Sequence, residues 1–128
     1  ALARELADRA VALAPNHPLI AYFQFARGLA AYRCGDFVAA AKALDASLDN
    51  SESLNPYCEP MAKVLRAMTY QQQGEIDRAR ELLAEATEMV AGLSQIEGDE
   101  PFDQSLWHDR VGLEVLFKEA KSLIPSEN

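Results

Sequence analysis

The sequence repeats itself with the spacing that separates Gly35 from Gly74, and this period constrains the fold more than any other feature. Superposing these two glycines pairs small or apolar residues across both segments: Gly28 with Ala67, Asp36 with Glu75, Phe37 with Ile76, Ala40 with Ala79, Leu44 with Leu83 and Ser47 with Ala86. Repeats of this length are typical of helix pairs that stack, each burying an apolar face against its neighbour. The period therefore predicts an α-solenoid.

Composition and chain breaks both favour helices. Alanine is the commonest residue whereas Val, Ile and Thr are scarce, so strands have little to form from. Glycine, proline and asparagine interrupt the chain and divide it into an all-α arrangement of about six helices. We place these at about 2–14, 18–34, 36–50, 56–73, 75–92 and 104–124.

The residues at the predicted helix ends suit those positions. In each repeat the glycine ends one helix and allows a tight reversal. The acidic residue that follows it, Asp36 or Glu75, then lies at the positive end of the next helix dipole. Asn55 is a suitable N-cap, because its side-chain oxygen can accept from backbone N–H groups of the next turn, and the Pro56 that follows is tolerated in a first helical turn.

The chain of 128 residues has the length of one domain, since this length buries one core but not two independent ones. Within the single domain 1–128 we predict a partial repeat at 1–15, which contributes only its second helix. Full repeats follow at 18–50 and 56–92, and a capping helix follows at 104–124. A chain that begins in mid-repeat is expected to be part of a larger protein.

Charge and cysteine content exclude several classes of partner. Twelve basic against twenty acidic residues give a net charge of −8, which would repel nucleic-acid phosphates. No apolar run approaches the ~20 residues that span a bilayer, so no membrane partner is expected. Cys34 and Cys58 have neither metal-ligand spacing nor the density of a disulfide scaffold, which favours a cytoplasmic location. We expect Cys34 to be a small packing residue.

Through its repeated glycines, alanines and turns, the chain resembles the tetratricopeptide repeat family. Segment 28–41, GLAAYRCGDFVAAA, carries the glycine, the Gly-Asp-aromatic turn and the alanine at the family's spacing. Segment 67–86 supplies a tyrosine, the turn glycine, two alanines and a leucine at matching positions. The family's tryptophan is replaced by Gln24 and Lys63, and its leucine by Arg27 and Arg66. The resemblance implies a solenoid of antiparallel helix pairs.

A narrower resemblance is to C-terminal regions of planctomycete-type bacterial serine/threonine protein kinases. It lies in GLAAYRCGDF at 28–37, NPY at 55–57, and WHD at 107–109 ahead of KEAKSLI at 118–124. In that family helical repeats follow the catalytic domain, so the resemblance implies a module of a larger, kinase-linked bacterial protein. The chain has no Gly-rich loop, strand-borne lysine or His-Arg-Asp loop, so we expect no kinase activity from it.

The sequence offers no convergent set of groups for catalysis or metal binding. His108 and Asp109 are neighbours on a predicted helix and point about 100° apart, so they cannot orient each other as a dyad. His17 lacks a spaced His or Cys partner for a metal ion. The acidic segment 97–103 lacks the alternation of an EF-hand and is better interpreted as a solvated loop. We therefore expect no enzyme, no cofactor and no metal site.

The family resemblance implies that the first helix of each repeat lines a concave groove that binds a partner segment. The inner positions form two apolar stripes. The first stripe consists of Tyr22, Phe25, Leu29, Tyr32 and Arg33, and the second stripe consists of Met61, Val64, Met68 and Gln72. Family members that clamp a terminal carboxylate use Lys, Asn and Arg at these positions. Only Arg33 is present, so we expect no carboxylate clamp.

Two interpretations of this groove remain open. Either a protein or peptide segment fills it, or the last predicted helix does. That helix carries two apolar stripes, which together form a band too broad for packing on one side. The first consists of Leu106, Leu113, Phe117, Ala120 and Ile124, and the second consists of Trp107, Val111 and Val115. We expect partial self-occupation, with the rest of the groove serving a non-catalytic interaction or scaffolding module. The alternative is a structural spacer or self-association domain with a sealed groove.

Overall fold

A computed structural model describes residues 2–13, 18–99 and 107–125 of the chain. These residues are all-helical and contain no strand, as predicted. The six helices are α1 (Leu2–Leu13), α2 (Ile20–Arg33), α3 (Phe37–Asp49), α4 (Cys58–Gln72), α5 (Ile76–Asp99) and α6 (Trp107–Leu123), with a short 3-10 turn at Ser51–Ser53. None of the described helices has a stretch both long and apolar enough to span a bilayer.

The chain forms two compact units, Ala1–Leu54 and Asn55–Asn128. The first unit therefore contains α1, α2 and α3, and the second contains α4, α5 and α6. Each unit holds one full predicted repeat with one further helix beside it. That both belong to a single domain stays a prediction.

The reversal between α2 and α3 is a Schellman motif. Gly35 has a φ of +80°, the left-handed conformation that glycine adopts without strain. Its N–H donates to the Tyr32 carbonyl at 3.0 Å, and the Asp36 N–H donates to the Ala31 carbonyl at 2.9 Å. The Asp36 carboxylate then caps α3 by accepting from the Ala39 N–H at 3.2 Å. The helix end predicted at Gly35 is confirmed, as is the position of Asp36 at the start of the next helix.

The reversal between α4 and α5 has the same geometry at the aligned position of the second repeat. Gly74 has a φ of +82°, and its N–H donates to the Gln71 carbonyl at 3.1 Å. The Glu75 N–H donates to the Tyr70 carbonyl at 2.9 Å, and the Glu75 carbonyl accepts from the Ala79 N–H at 3.0 Å. The internal repeat of the sequence is therefore an internal repeat of the backbone turn.

Asn55 caps the turn that leads into α4. Its side-chain oxygen accepts from the N–H groups of Tyr57 and Cys58, each at 2.9 Å. The helix itself begins at Cys58, so Pro56 lies in the preceding turn and not inside the helix as predicted.

Helix α5 is longer than predicted. The sequence places its end at Gly92, whereas the helix continues to Asp99. A glycine inside a helix costs only about 1 kcal/mol relative to alanine, and the Leu, Gln, Ile and Glu that follow offset this. Gly92 therefore lacks the role of Gly35 and Gly74, whose positive φ creates the reversal. The predicted start of the last helix at 104 lies outside the described residues.

Helices α2 and α3 pack antiparallel along their full length. At one end the Ser47 hydroxyl donates to the Ala21 carbonyl at 2.8 Å, and both residues are buried. At the other end the Tyr32 and Phe37 rings meet edge to face with centroids 5.4 Å apart. Gly28 lies between these contacts and is buried. The small residues aligned in the sequence thus mark the line along which the two helices approach closely.

Helices α4 and α5 form the equivalent antiparallel pair. The Lys63 ammonium lies 3.4 Å from the Glu85 carboxylate near one end. The Arg78 guanidinium lies 5.9 Å from the Tyr70 ring centroid beside the turn. The remaining helix of the first unit, α1, packs on α2, where Arg27 of α2 forms a 2.7 Å ion pair with Asp8.

Helix α6 packs on α4 in the second unit. A Cβ placed on Gly112 would lie 3.0 Å from the Met61 methyl group, so the two backbones approach closely there. At the other end of α6, the Arg80 Nε donates to the Pro125 carbonyl at 3.0 Å. Because Arg80 follows the α4–α5 turn, α6 runs in the same direction as α4 and opposite to α5.

Candidate functional site

The first stripe is only partly covered. Tyr22, Phe25 and Leu29 are half-buried on α2, whereas Tyr32 is buried in the contact with α3. Arg33 is exposed, and its guanidinium lies 5.8 Å from the Tyr32 ring centroid. The predicted binding positions on α2 thus present two aromatic rings and a leucine with part of their surface open to solvent.

The second stripe is buried, apart from Gln72 at its end. Val64 and Met68 have no exposed surface and Met61 is 8% exposed. Met61 lies against Gly112 of α6, within the second unit. The last helix therefore contacts the second stripe at this position.

The α6 prediction holds for one of its two stripes. Leu113, Phe117, Ala120 and Ile124 are buried, as expected for a helix that packs on one side. The second stripe is not buried, since Val111 is 37% and Val115 is 57% exposed. The reason is that within the second unit α6 packs mainly on α4, so one stripe suffices. Leu106 and the Trp107 side chain lie outside the described residues.

The two arginines that depart from the family pattern have specific roles. Arg27 forms the ion pair with Asp8 that joins α2 to α1. Arg66 is 7% exposed and stacks its guanidinium 3.7 Å from the Tyr70 ring centroid. Stacking one helical turn away lets a long cationic side chain occupy a position where the family has leucine.

An ion pair connects α1 to the start of α3. The Arg4 guanidinium donates to the Asp36 carboxylate, the same group that caps α3. This hydrogen bond, together with the one from the Ala39 N–H, lowers the pKa of Asp36 below its ordinary value. The contact fixes the turn of the first repeat, and it gives the site no catalytic group.

A trough that sequence reasoning missed lies between α5 and α6. It comprises two adjoining clefts of about 530 Å³ and about 670 Å³, which share Thr87 and Lys121 as lining residues. Its apolar lining includes Leu83, Val90, Leu93, Leu113, Phe117 and Ile124. We call this surface the α5/α6 trough. The signal that could have revealed it is the recurrence of Leu83, Val90 and Leu93 along α5, in excess of what packing on α4 requires.

The structure also locates the cysteines. Cys58 is buried, but Cys34 is exposed, so the expectation that Cys34 is a small packing residue is wrong. It is the C-cap residue of α2, where the chain turns outward before Gly35. Among the described residues, no three His, Cys, Asp or Glu side chains are grouped to hold a metal ion. His17 and the side chains of His108 and Asp109 lie outside the described part.

Comparisons with family models, with curated proteins and with solved structures find no match to this chain. The resemblance to tetratricopeptide repeats therefore depends on the residues and turns described above.

Proposed function

We propose that the chain is a tetratricopeptide-like helical repeat module that has no catalytic activity and binds a segment of another protein. The proposal is supported by two antiparallel helix pairs whose turns share the same hydrogen bonds at aligned positions. It is also supported by the buried small residues between the helices, where Ala40, Ala79 and Ala67 have no exposed surface. Repeat modules of this kind present side chains on a rigid scaffold, a common basis for peptide recognition.

The observation that carries the binding proposal is the half-buried first stripe. Tyr22, Phe25 and Leu29 supply aromatic and aliphatic surface on a helix held by both α1 and α3. Aromatic anchors on a preformed surface usually dominate binding energy, because little conformational entropy is lost when they are covered. The partner expected here is an apolar extended or helical segment. Neither nucleic acid nor membrane is proposed as a partner.

A second candidate function is a structural spacer or self-association domain. It is favoured by the contact between Gly112 and Met61, through which the last helix lies on the second stripe. If the first stripe is covered in the same way in a longer chain or a second copy, no partner site remains. The narrower family resemblance further leads us to propose a scaffolding role in a larger, cytoplasmic, kinase-linked bacterial protein.

The experiment that separates these functions is a selection of displayed random peptides on the immobilised chain. Enriched peptides are then measured against Phe25→Ala and against Val38→Ala, a matched truncation of a 74% exposed apolar residue on α3. Binding through the first stripe predicts a loss of more than ~1 kcal/mol, about fivefold in Kd, for Phe25→Ala and little change for Val38→Ala. Melting curves confirm that both variants fold. No enrichment favours the spacer, whereas enriched peptides that both variants bind equally well would place the binding away from the first stripe and contradict the proposed site.

A further inference from the structure

The α5/α6 trough is long enough to hold about three turns of a helix, which is longer than a small ligand requires. On the α5 side its apolar lining extends from Leu83 to Leu93, about 15 Å of helix. On the α6 side it extends from Leu113 to Ile124, which is about the same length. Since α6 runs opposite to α5, the two walls face each other over about three helical turns.

The apolar side chains of the trough differ in their coverage. On α6, Leu113, Phe117 and Ile124 are buried and form the floor of the trough. On α5, Val90 and Leu93 are half-buried, so part of their surface remains available to an occupant. Such a surface favours an occupant with an apolar stripe of its own.

The charges around the trough differ from those of the whole chain. The chain has 12 basic and 20 acidic residues, whereas the trough is lined by three basic residues, Arg80, Lys118 and Lys121, and two acidic ones, Glu81 and Glu114. Lys118 and Lys121 lie one turn apart on the exposed edge of α6. This edge is the part of the trough that would attract acidic side chains.

We infer that the α5/α6 trough docks an amphipathic helix of a partner protein, about three turns long, with an acidic edge along Lys118 and Lys121. Leucine or phenylalanine at i, i+3, i+4 and i+7 of that helix would lie on Val90, Leu93 and the α6 floor. Glu114 lies one turn before Lys118 and would disfavour an acidic residue at that position. This inference concerns different helices from those of the first stripe and goes beyond the proposed function.

The test uses two labelled 14-residue peptides with the same leucine and phenylalanine stripe. One has glutamates along one edge, and the other has lysines at those positions. Binding to the full chain is followed by fluorescence anisotropy at low and high salt. We expect the acidic peptide to bind at least about tenfold more tightly at low salt, with a smaller difference at high salt because ions screen exposed charges.

Two charge-reversal variants locate the site. Lys118→Glu combined with Lys121→Glu should invert the preference between the two peptides. The matched control, Arg9→Glu combined with Lys42→Glu, reverses two exposed cations of the first unit and should leave the preference unchanged. All four residues are exposed, but the Lys121 ammonium lies 4.6 Å from the Phe117 ring centroid, so melting curves are compared to confirm that both variants fold. Phe25→Ala should also leave the acidic peptide's affinity unchanged, which separates this inference from the proposed function.

Several results would overturn the inference. Equal affinity for the two peptides, or no binding of either at about 1 mM, would show that the trough does not select an acidic helix. An unchanged preference after the Lys118 and Lys121 reversal would place any binding elsewhere. Concentration-dependent dimers that this reversal abolishes, seen by sedimentation, would show that a second copy of the chain occupies the trough instead.

Discussion

The two helix pairs of this protein have the same backbone turn, but the apolar stripes on their first helices differ in how far they are buried. Both reverse through a glycine with positive φ and the same pair of Schellman hydrogen bonds. Yet Tyr22, Phe25 and Leu29 are half-buried, while the aligned residues of the second pair, Met61, Val64 and Met68, are buried. The comparison teaches that the turn and the small residues define a pair. The stripe can be either partly exposed or part of a core.

The pairs also differ in how their helices approach each other. In the first pair Leu44 fills the space above Gly28, where a Cβ would lie 2.7 Å from the Leu44 Cγ. In the second pair the position of Gly28 is taken by Ala67, and the equivalent Leu83 is only half-buried. The glycine therefore allows deeper insertion of the opposing leucine in the first pair.

The largest expected difference between the pairs is in the stability lost when the leucine that faces the first helix is truncated. Leu44→Ala removes a fully buried side chain and should lower the free energy of unfolding by ~2–5 kcal/mol, since a cavity remains. Leu83→Ala should cost clearly less because part of that side chain already contacts solvent. Urea denaturation of both variants measures the difference. Equal losses of unfolding free energy would show that Gly28 does not let Leu44 insert more deeply than Leu83 does.

The next effect should be the same in both pairs. Ala40 and Ala79 have no exposed surface at the helix crossings. Replacing either by leucine adds three carbons where the helices touch, and overpacking of this kind costs ~1–3 kcal/mol. We expect Ala40→Leu and Ala79→Leu to lower the urea midpoint by similar amounts. A variant with an unchanged midpoint would remove its alanine from the crossing.

A double-mutant cycle sharpens the comparison at Gly28. Gly28→Ala gains up to ~1 kcal/mol of helix propensity, but its methyl group collides with the buried Leu44 side chain, so the net effect should be destabilising. In a Leu44→Ala background the collision is absent and the same change should be stabilising. Thermal unfolding of the four proteins measures this reversal of sign. The same sign in both backgrounds would contradict the packing described here.

Much of this fold could be predicted because its signals are local. Gly35 and Gly74 require particular backbone angles, and Asn55 and Asp36 provide side-chain acceptors close in sequence to the N–H groups they cap. Long-range features could not be predicted in the same way. The burial of Met61 depends on Gly112, which lies two helices further along the chain, and nothing near either residue specifies that contact.

The sequence was least informative about α5 and α6. Glycine often ends a helix, but Gly92 does not have the positive φ of Gly35 and Gly74. Helix α5 therefore continues past it. The α5/α6 trough forms from residues that are ordinary for helix surfaces, such as Thr87 and Lys121. Its existence depends on both helices packing on α4 while a space remains between them, which spacing along the chain does not determine.

The smallest expected effect is a pH dependence that distinguishes the two turns. The pKa of Asp36 is lowered in the folded state, chiefly by its hydrogen bond from Arg4. Its contribution to stability is therefore present above the ordinary carboxyl value of 3.8 and is lost as the pH falls through the lowered folded value. Asp36→Asn should be less stable than the parent near neutral pH, with a difference that vanishes in acid.

The matched control for this prediction is Glu75→Gln. Glu75 contacts Arg78 at 3.7 Å in an exposed position, so its loss should change stability less. Melting temperatures of both variants across the acidic range provide the measurement. A difference for Asp36→Asn that persists below the carboxyl titration would mean that the ion pair with Arg4 is not its source.

The central claim, that equivalent stripes of the two repeats differ in coverage, is tested most directly by hydroxyl-radical footprinting of the intact chain. Modification is quantified by mass spectrometry at Tyr22 and Phe25 and at Met61 and Met68, and corrected for the intrinsic reactivity of each residue type. The structure predicts modification of Tyr22 and Phe25, with strong protection of both methionines, which are 8% and 0% exposed. Methionines modified as readily as exposed ones, or protection of all four residues, would contradict it.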